Sequence, residues 1–157
     1  MPGTVQALCE AVRDLLRTAN GQSLLRHNGV DLADIEASPP RPPLLGQFPK
    51  AFVTWVSRET ESRQVCAPSL SYVFRYSCQV RLYVSDISQV FRIESTRELV
   101  DAVDAVLGCQ RTLGAACTDM EVTRTSGDAE ALFNRGVIAH GLVEFWALVA
   151  ETRTLTD

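Results

Sequence analysis

The sequence lacks the apolar stretches that would place it in a membrane or export it. No run of apolar residues approaches the ~20 residues that a membrane-spanning helix needs. The segment from Met1 to Asn20 has neither the charged start nor the apolar run of a secretory signal. We therefore expect a protein that is made and kept in the cytosol and has no membrane partner.

Histidine is scarce, and the cysteines are irregularly spaced. The chain has two histidines, His27 and His140, and five cysteines without any C-x-x-C spacing. An odd number of cysteines in this arrangement fits neither a disulfide framework nor a zinc site. We expect free thiols, no bound metal and no cofactor.

Positive charge is also in deficit. The formal net charge is -4, whereas a protein that holds nucleic acid through its phosphates normally carries an excess of basic residues. The GxGxxG, Walker, HExxH and GxSxG motifs are all absent. The sequence therefore contains no signature motif of the commonest nucleotide-binding and hydrolytic enzyme classes, and we expect no enzymatic activity.

The strongest pattern that is present is an alternation of apolar and polar side chains from Ser71 to Ser85. Successive side chains of a strand point to opposite faces, so the alternation predicts a long strand with one buried and one wetter face. The apolar parity consists of Tyr72, Phe74, Tyr76, Cys78, Val80, Leu82 and Val84. We expect the sheet to be built around this strand.

Other patterns supply the remaining elements. The helical patterns predict a helix over 4–17 with a left-handed stop at Asn20-Gly21, and a helix over 96–107 begun by a Ser95-x-x-Glu98 capping box. The strand patterns predict a strand over 51–57 that is buried on both sides, a strand over 119–125 closed by a turn at 126–128, and a strand over 137–150. Antiparallel strands with helices on one face make a two-layer α+β sandwich. We predict one domain over 1–157 with a mainly antiparallel four-stranded sheet.

Two connections stand out. The segment 22–50 contains the proline-rich run from Ser38 to Pro43 and is expected to form an arm or loop, with a short helical turn at 31–36. The charged segment 58–69 is expected to be a projecting loop. Each is either a solvated connection or a docking element whose mixed charges fix register with a neighbour.

Two helices cannot cover both faces of the predicted sheet. Leu142, Trp146 and Leu148, with Tyr83 and Val73, then form an apolar patch that points to subunit contacts. The polar side chains Arg75, Gln79 and Arg81 lie on the same face as this patch. They either pair across strands or at an oligomer interface, or contact nucleic acid beside Tyr83.

Few residues suggest catalysis. A thiol at Cys78 or Cys66 activated by His140 is conceivable, since a base can draw the proton from a thiol. Inert thiols are the alternative that we favour. The carboxylate pairs Asp101 with Asp104 and Glu59 with Glu61 are expected to be solvated, and Asp119, Asp128 and Glu130 lack the spacing of a calcium loop.

Four stretches of the chain resemble the tail terminator, or tail-completion, proteins of long-tailed bacteriophages, including the Mu-like branch. The stretches are FPKAFVTWV (48–56), YVFRYSCQVRLYV (72–84), RIESTRELVDAVDAVLG (92–108) and GLVEFWALV (141–149). The resemblance implies a virion protein, located at the head-tail junction after assembly in the host cytoplasm. It implies a hexameric ring that caps the tail tube, ends tail polymerisation and joins the head-tail connector.

The resemblance also implies partners. These are further copies of the chain, the tail tube protein, a connector or stopper protein and, in a contractile tail, a sheath protein, with DNA only passing through the ring lumen. Contacts in a closed ring are heterologous, so each subunit needs two different mating patches. The candidate subunit or tail-tube interface residues are Arg58, Glu59, Glu61, Arg63, Arg75, Arg81, Leu142, Trp146 and Leu148.

Two alternatives stay open. The first is another head-tail connector component, such as a stopper or head-completion protein. The second is a small ligand-binding or enzymatic α+β domain, which would need a pocket with convergent polar groups.

Overall fold

The computed structural model describes residues 4–22, 24–25, 32–39, 48–85, 89–113, 116–133 and 136–154. Its helices and strands are α1 (Thr4–Gly21), β1 (Asp34–Glu36), β2 (Lys50–Cys66), β3 (Ser69–Ser85), α2 (Gln89–Gly108), β4 (Asp119–Phe133) and β5 (Gly136–Thr154). The fold is α+β, with two helices and a five-stranded mixed sheet in this described part of the chain.

The strands lie in the order β1-β2-β3-β5-β4. All neighbours are antiparallel except β1, which runs parallel to β2 over three residue pairs. The predicted helical turn at 31–36 is therefore wrong, and the predicted four strands gain a fifth. The sequence signal was weak because β1 is short and its partner lies far along the chain; Ile35 is buried in the core.

The prediction that a long strand near residues 71–85 organises the sheet is confirmed. β3 is paired along its whole length with β2 on one side and with β5 on the other. Its even-numbered side chains from Phe74 to Val84 are buried, as the alternation predicts.

The predicted loop at 58–69 is wrong, because β2 continues to Cys66 and pairs with β3 up to the turn at Ala67-Pro68. The strand is also not buried on both sides. Burial ends at Val53, and every residue from Trp55 to Pro68 is exposed. We call residues 57–66 of β2 and 69–77 of β3 the arm. The arm is a paired hairpin, and β5 runs beside its β3 strand as far as Thr154.

α1, α2 and β4 are also longer than the sequence patterns predict. α2 begins at Gln89, so the predicted capping box lies inside the helix, where Ser95 is buried. β4 continues to Phe133 through a bulge between Ser126 and Ala129, in place of the predicted turn. α1 ends at Gly21 without left-handed backbone.

Both helices contact the same face of the sheet. The thiol of Cys9 in α1 meets Cys78 in β3, and Val100 of α2 lies so close to Gly141 of β5 that a Cβ there would be 2.6 Å from it. One cluster of buried apolar residues joins the two helices to this face. The odd-numbered face of β5 is thus in the core, as predicted.

The face of the sheet opposite the helices is partly buried. Phe52, Tyr83 and Ile138 are buried there as a second, smaller cluster. We call this side of the sheet the helix-free face. Along β3 and β5, its residues alternate with the residues that face the helices. Strict two-layer packing stays a prediction. The proline-rich run from Pro40 onward and His27 lie outside the described residues.

Candidate interaction surfaces

The nine predicted interface residues fall on two connected regions. Arg58, Glu59, Glu61 and Arg63 lie on the arm. The remaining members lie on the helix-free face of β3 and β5, where Arg75 is opposite Leu148 and Arg81 is opposite Leu142. The sequence therefore grouped the β3 and β5 residues correctly. It placed the arm residues on a loop, although they form a strand.

A ladder of polar contacts crosses the helix-free face. Gln79 donates through Nε2 to Glu144 Oε1 at 3.4 Å, and Arg81 Nε donates to Gln79 Oε1 at 3.1 Å. Arg124 on β4 lies 3.9 Å from the Glu144 carboxylate. The contacts of Glu144 with Gln79 and Arg124 cross between strands, whereas the bond from Arg81 to Gln79 lies along β3. Glu144 thus places a carboxylate among the arginines of this face.

Arg75, a residue of the arm, contacts both strands that flank β3. Its guanidinium lies over the Trp146 ring at 4.7 Å, and its Nε is 2.7 Å from Glu61 Oε1. The contact with Glu61 is an ion pair without hydrogen-bond geometry at Nε, so it is the stacking on the indole ring that orients the guanidinium plane. Arg75 therefore fixes the base of the arm against β5.

The apolar members of the patch are half-buried. Leu142, Trp146 and Leu148 alternate with core residues along β5 and carry no covering helix in the described part of the chain. A groove of about 330 Å³ runs past Trp146 between Val56 and Glu144. Val56, which lines this groove, is 55% exposed, whereas Trp55 is 48% exposed and lies on the helix-facing side of the sheet, opposite Cys78. The sequence missed these two because it assigned them to a buried strand.

The opposite end of the helix-free face holds His140. Its ring stacks on Tyr83 with centroids 5.1 Å apart, and its Nε2 is buried without a hydrogen-bond partner among the described residues. Burial, and secondarily the charge of Arg81, lower the pKa of His140. His140 is therefore a packed, neutral side chain near pH 7.

The two faces of the arm differ in charge. On the side that continues the helix-facing surface, Arg58 lies over Phe74 at 4.4 Å and Arg63 lies over Tyr72 at 6.0 Å. Arg153 of β5 covers the same two rings. The carboxylates Glu59 and Glu61 belong to the other side, where both face Arg75. Arg153 was missed, because nothing in its local sequence places it beside the arm.

A third surface lies between the helices. An open apolar groove of about 370 Å³ separates the C-terminal halves of α1 and α2, with Leu15, Leu24, Ala105, Val106 and Cys109 among its lining residues. Leu24 at its edge is 55% exposed. The sequence gave no sign of this groove, because it depends on how the two helices diverge.

The geometry separates the residues that catalysis would require. Cys78 points into the helix-facing core, whereas His140 is on the opposite face of the sheet. Cys66 is at the tip of the arm, far along β3 from Tyr83, the partner of His140. A thiol-imidazole pair cannot form from either cysteine.

The buried thiols and Asp119 have partners within the fold. A hydrogen bond with Cys9, together with burial, raises the pKa of Cys78 far above its ordinary range. The same hydrogen bond lowers the pKa of Cys9, against burial and the charge of Glu10, which raise it. Asp119 pairs with Arg111 at 3.4 Å. The described residues contain no group of three His, Cys, Asp or Glu side chains that could hold a metal ion. Among the described residues, neither helix has the length and apolar character to cross a membrane.

Comparisons with known proteins give little further identification. No family model and no curated protein matches the chain. Among solved structures, it is similar to a chain described as "Virion of native gene transfer agent (GTA) particle", with 17% sequence identity and a TM-score of 0.48. The match covers 92% of this chain and 95% of that chain. A likeness of this degree does not assign the chain to a family.

Proposed function

We propose that this chain is a structural virion protein that caps the tail tube of a long-tailed phage as a hexameric ring. In that position it ends tail polymerisation and forms the joint to the head-tail connector. The role comes from the resemblance of its four sequence stretches to tail terminator proteins. The same proposal gives the chain no enzymatic activity.

The observation that carries the proposal is the helix-free face with the arm beside it. A half-buried row of Leu142, Trp146 and Leu148 continues into the exposed Val56, and a paired hairpin extends from the same place. Contiguous apolar surface next to polar groups is typical of a protein-protein contact. Trp and Arg in contact, as at Trp146 and Arg75, are the residue types most often dominant in binding energy.

The first test is assembly of the purified chain. Native mass spectrometry over a range of concentrations, with negative-stain imaging, should show a six-fold ring either for the chain alone or after addition of tail tubes. A chain that stays monomeric under both conditions and does not bind the tube ends would overturn the proposal.

A variant localises the contact. Trp146→Arg should prevent ring formation or tube binding while the far-UV spectrum keeps its native form. The melting temperature should fall modestly, because the change removes the Arg75 stack and places two guanidinium groups side by side. Thr112→Arg adds the same charge at an exposed site away from the helix-free face and serves as the matched control. Normal assembly of the Trp146 variant would remove this face from the interface.

A further inference from the structure

The basic face of the arm and the groove between the helices have complementary patterns. We propose that, in the ring, the arm of each subunit lies along α2 of the next copy of this chain, with Val65 in the apolar groove and Arg58 and Arg63 against Glu94 and Asp101. This inference rests on the proposed ring and names the contact that joins its subunits.

The arm offers one apolar and two cationic groups on a single side. Arg58, Arg63 and Val65 face the same way, since they pair with Tyr76, Tyr72 and Leu70 of β3. Val65 is 60% exposed at the tip. Within the described residues, neither arginine has a carboxylate within ion-pair distance, and each keeps one face of its guanidinium on an aromatic ring. Their outward edges are available for anions.

The surface of α2 offers the matching set. Glu94, Asp101 and Ala105 lie on one line of the helix, because seven and eleven residues are close to two and three whole turns. All three residues are exposed, and Ala105 lines the groove beside Leu24. The line therefore runs from a carboxylate, past the exposed Arg97 and Glu98, through a second carboxylate, to an apolar depression.

The spacings agree. Arg58 and Arg63 are four ladder positions apart, or about 13 Å at ~3.3 Å per residue, and Val65 is two positions further, about 7 Å. On α2, Glu94 and Asp101 are about 10 Å apart, and Ala105 is about 6 Å beyond Asp101 at ~1.5 Å per residue. An arginine side chain spans the remaining difference of about 3 Å without moving the backbone.

A second copy is the occupant that this arrangement favours. Arm and groove belong to the same chain but to different places on it, which is what a heterologous contact in a closed ring requires. The β2 strand of the arm and the turn after it are exposed from Trp55 to Pro68, so the tip is accessible to a neighbour. A copy of the chain supplies both the charge pattern and the apolar anchor, with no further partner.

Disulfide trapping tests the apolar end. In Val65→Cys/Cys66→Ser, mild oxidation should link the new thiol to the exposed Cys109 of the neighbour and give a ladder up to hexamer on denaturing gels. Adding Cys109→Ser should abolish the ladder. Ser62→Cys/Cys66→Ser places the thiol on the other side of the arm and should give none.

Charge exchange tests the other end. Arg58→Glu/Arg63→Glu and Glu94→Arg/Asp101→Arg should each raise the concentration needed for half-assembly by about tenfold or more, because like charges would face each other. An equimolar mixture of the two variants should assemble as an alternating ring, since every arm then meets a helix of opposite charge. A misfolded arm could not be rescued by mixing, so rescue separates contact from stability.

The outcomes distinguish this contact from the ring itself. If the wild-type chain forms rings, but the reversed variants assemble normally and no disulfide ladder appears, the arm contact is wrong and the proposed function stands. If the wild-type chain assembles neither alone nor on tail tubes, both are overturned. Rescue in the mixture together with the ladder would establish the contact.

Discussion

At the scale of single residues, the sheet is fitted to the helices by one glycine. A Cβ at Gly141 would lie 2.6 Å from Val100 Cγ2 and 2.9 Å from Thr96 Cγ2. Contacts this short cannot be accommodated without moving α2, because the interior is densely packed. Gly141 therefore sets the distance between α2 and β5.

We predict that Gly141→Ala destabilises the fold by about 1–3 kcal/mol, the usual result of adding a group to a full core. Urea denaturation followed by circular dichroism measures the change. The control is Gly108→Ala, where a Cβ meets nothing within 4 Å and the helix end should be unaffected or slightly stabilised. Equal stability of the two variants would contradict the close packing.

The second residue-scale prediction concerns pH. Since burial and Arg81 lower the pKa of His140 from its ordinary 6.5, the unfolded chain binds the proton more tightly than the folded chain. Stability should therefore fall as pH decreases below about 6.5, by at most about 1.4 kcal/mol per pH unit from this group.

His140→Gln should flatten that part of the stability curve. The measurement is the free energy of unfolding at a series of pH values for wild type and variant, and the difference between the curves isolates the histidine from the carboxylates. Parallel curves for the two proteins would show that His140 does not change its protonation on unfolding.

At the scale of elements, the arm is the unusual feature. It is covered by no helix along its exposed length, so it depends on strand pairing, the three arginines stacked on Tyr72 and Phe74, and the Glu61-Arg75 ion pair. Each stacked cation is worth only about 0.5–1 kcal/mol at an exposed site. The arm should be ordered but less protected than the body of the sheet.

Hydrogen exchange followed by NMR should show this gradient. Amides of residues 72–76, which lie between β2 and β5, should exchange about 100-fold more slowly than those of the exposed connection at 110–112, yet faster than those of residues 78–84. If residues 72–76 exchange as fast as the connection, the arm is a loop and not a hairpin.

At the scale of the whole molecule, the chain divides its charges between surfaces. Arginines outnumber carboxylates on the helix-facing side of the arm, where Glu151 pairs with Arg153, and carboxylates outnumber Arg97 along the exposed line of α2. The net charge of the whole chain is only -4. Such a distribution favours ordered self-association over general attraction to a polyanion.

Salt therefore gives a whole-molecule prediction for the proposed ring. Raising ionic strength from 0.1 to 1 M shortens the screening length from about 10 to about 3 Å and should lower the fraction of assembled chain. Analytical ultracentrifugation at fixed protein concentration measures it. A ring held by apolar contacts alone would persist or strengthen, because excluded salts favour apolar burial.

Local sequence determined the parts of the fold that repeat with a fixed period. The alternation around Phe74 and Val80 and the odd-numbered face of β5 were readable, because a strand buried on one face must alternate. The shared face of Arg75, Arg81 and Trp146 followed from the same period. The face on which each of these residues lies can be predicted without knowing its neighbours in space.

Tertiary structure decided what depends on distant partners. β1 exists because residues 50–52 offer it an edge, and the charged stretch after Arg58 is strand because β3 and β5 continue beside it. The groove between α1 and α2 and the position of Arg153 over Tyr72 arise only when separate elements meet. Pairing and exposure are properties of the assembled sheet, so no local pattern encodes them.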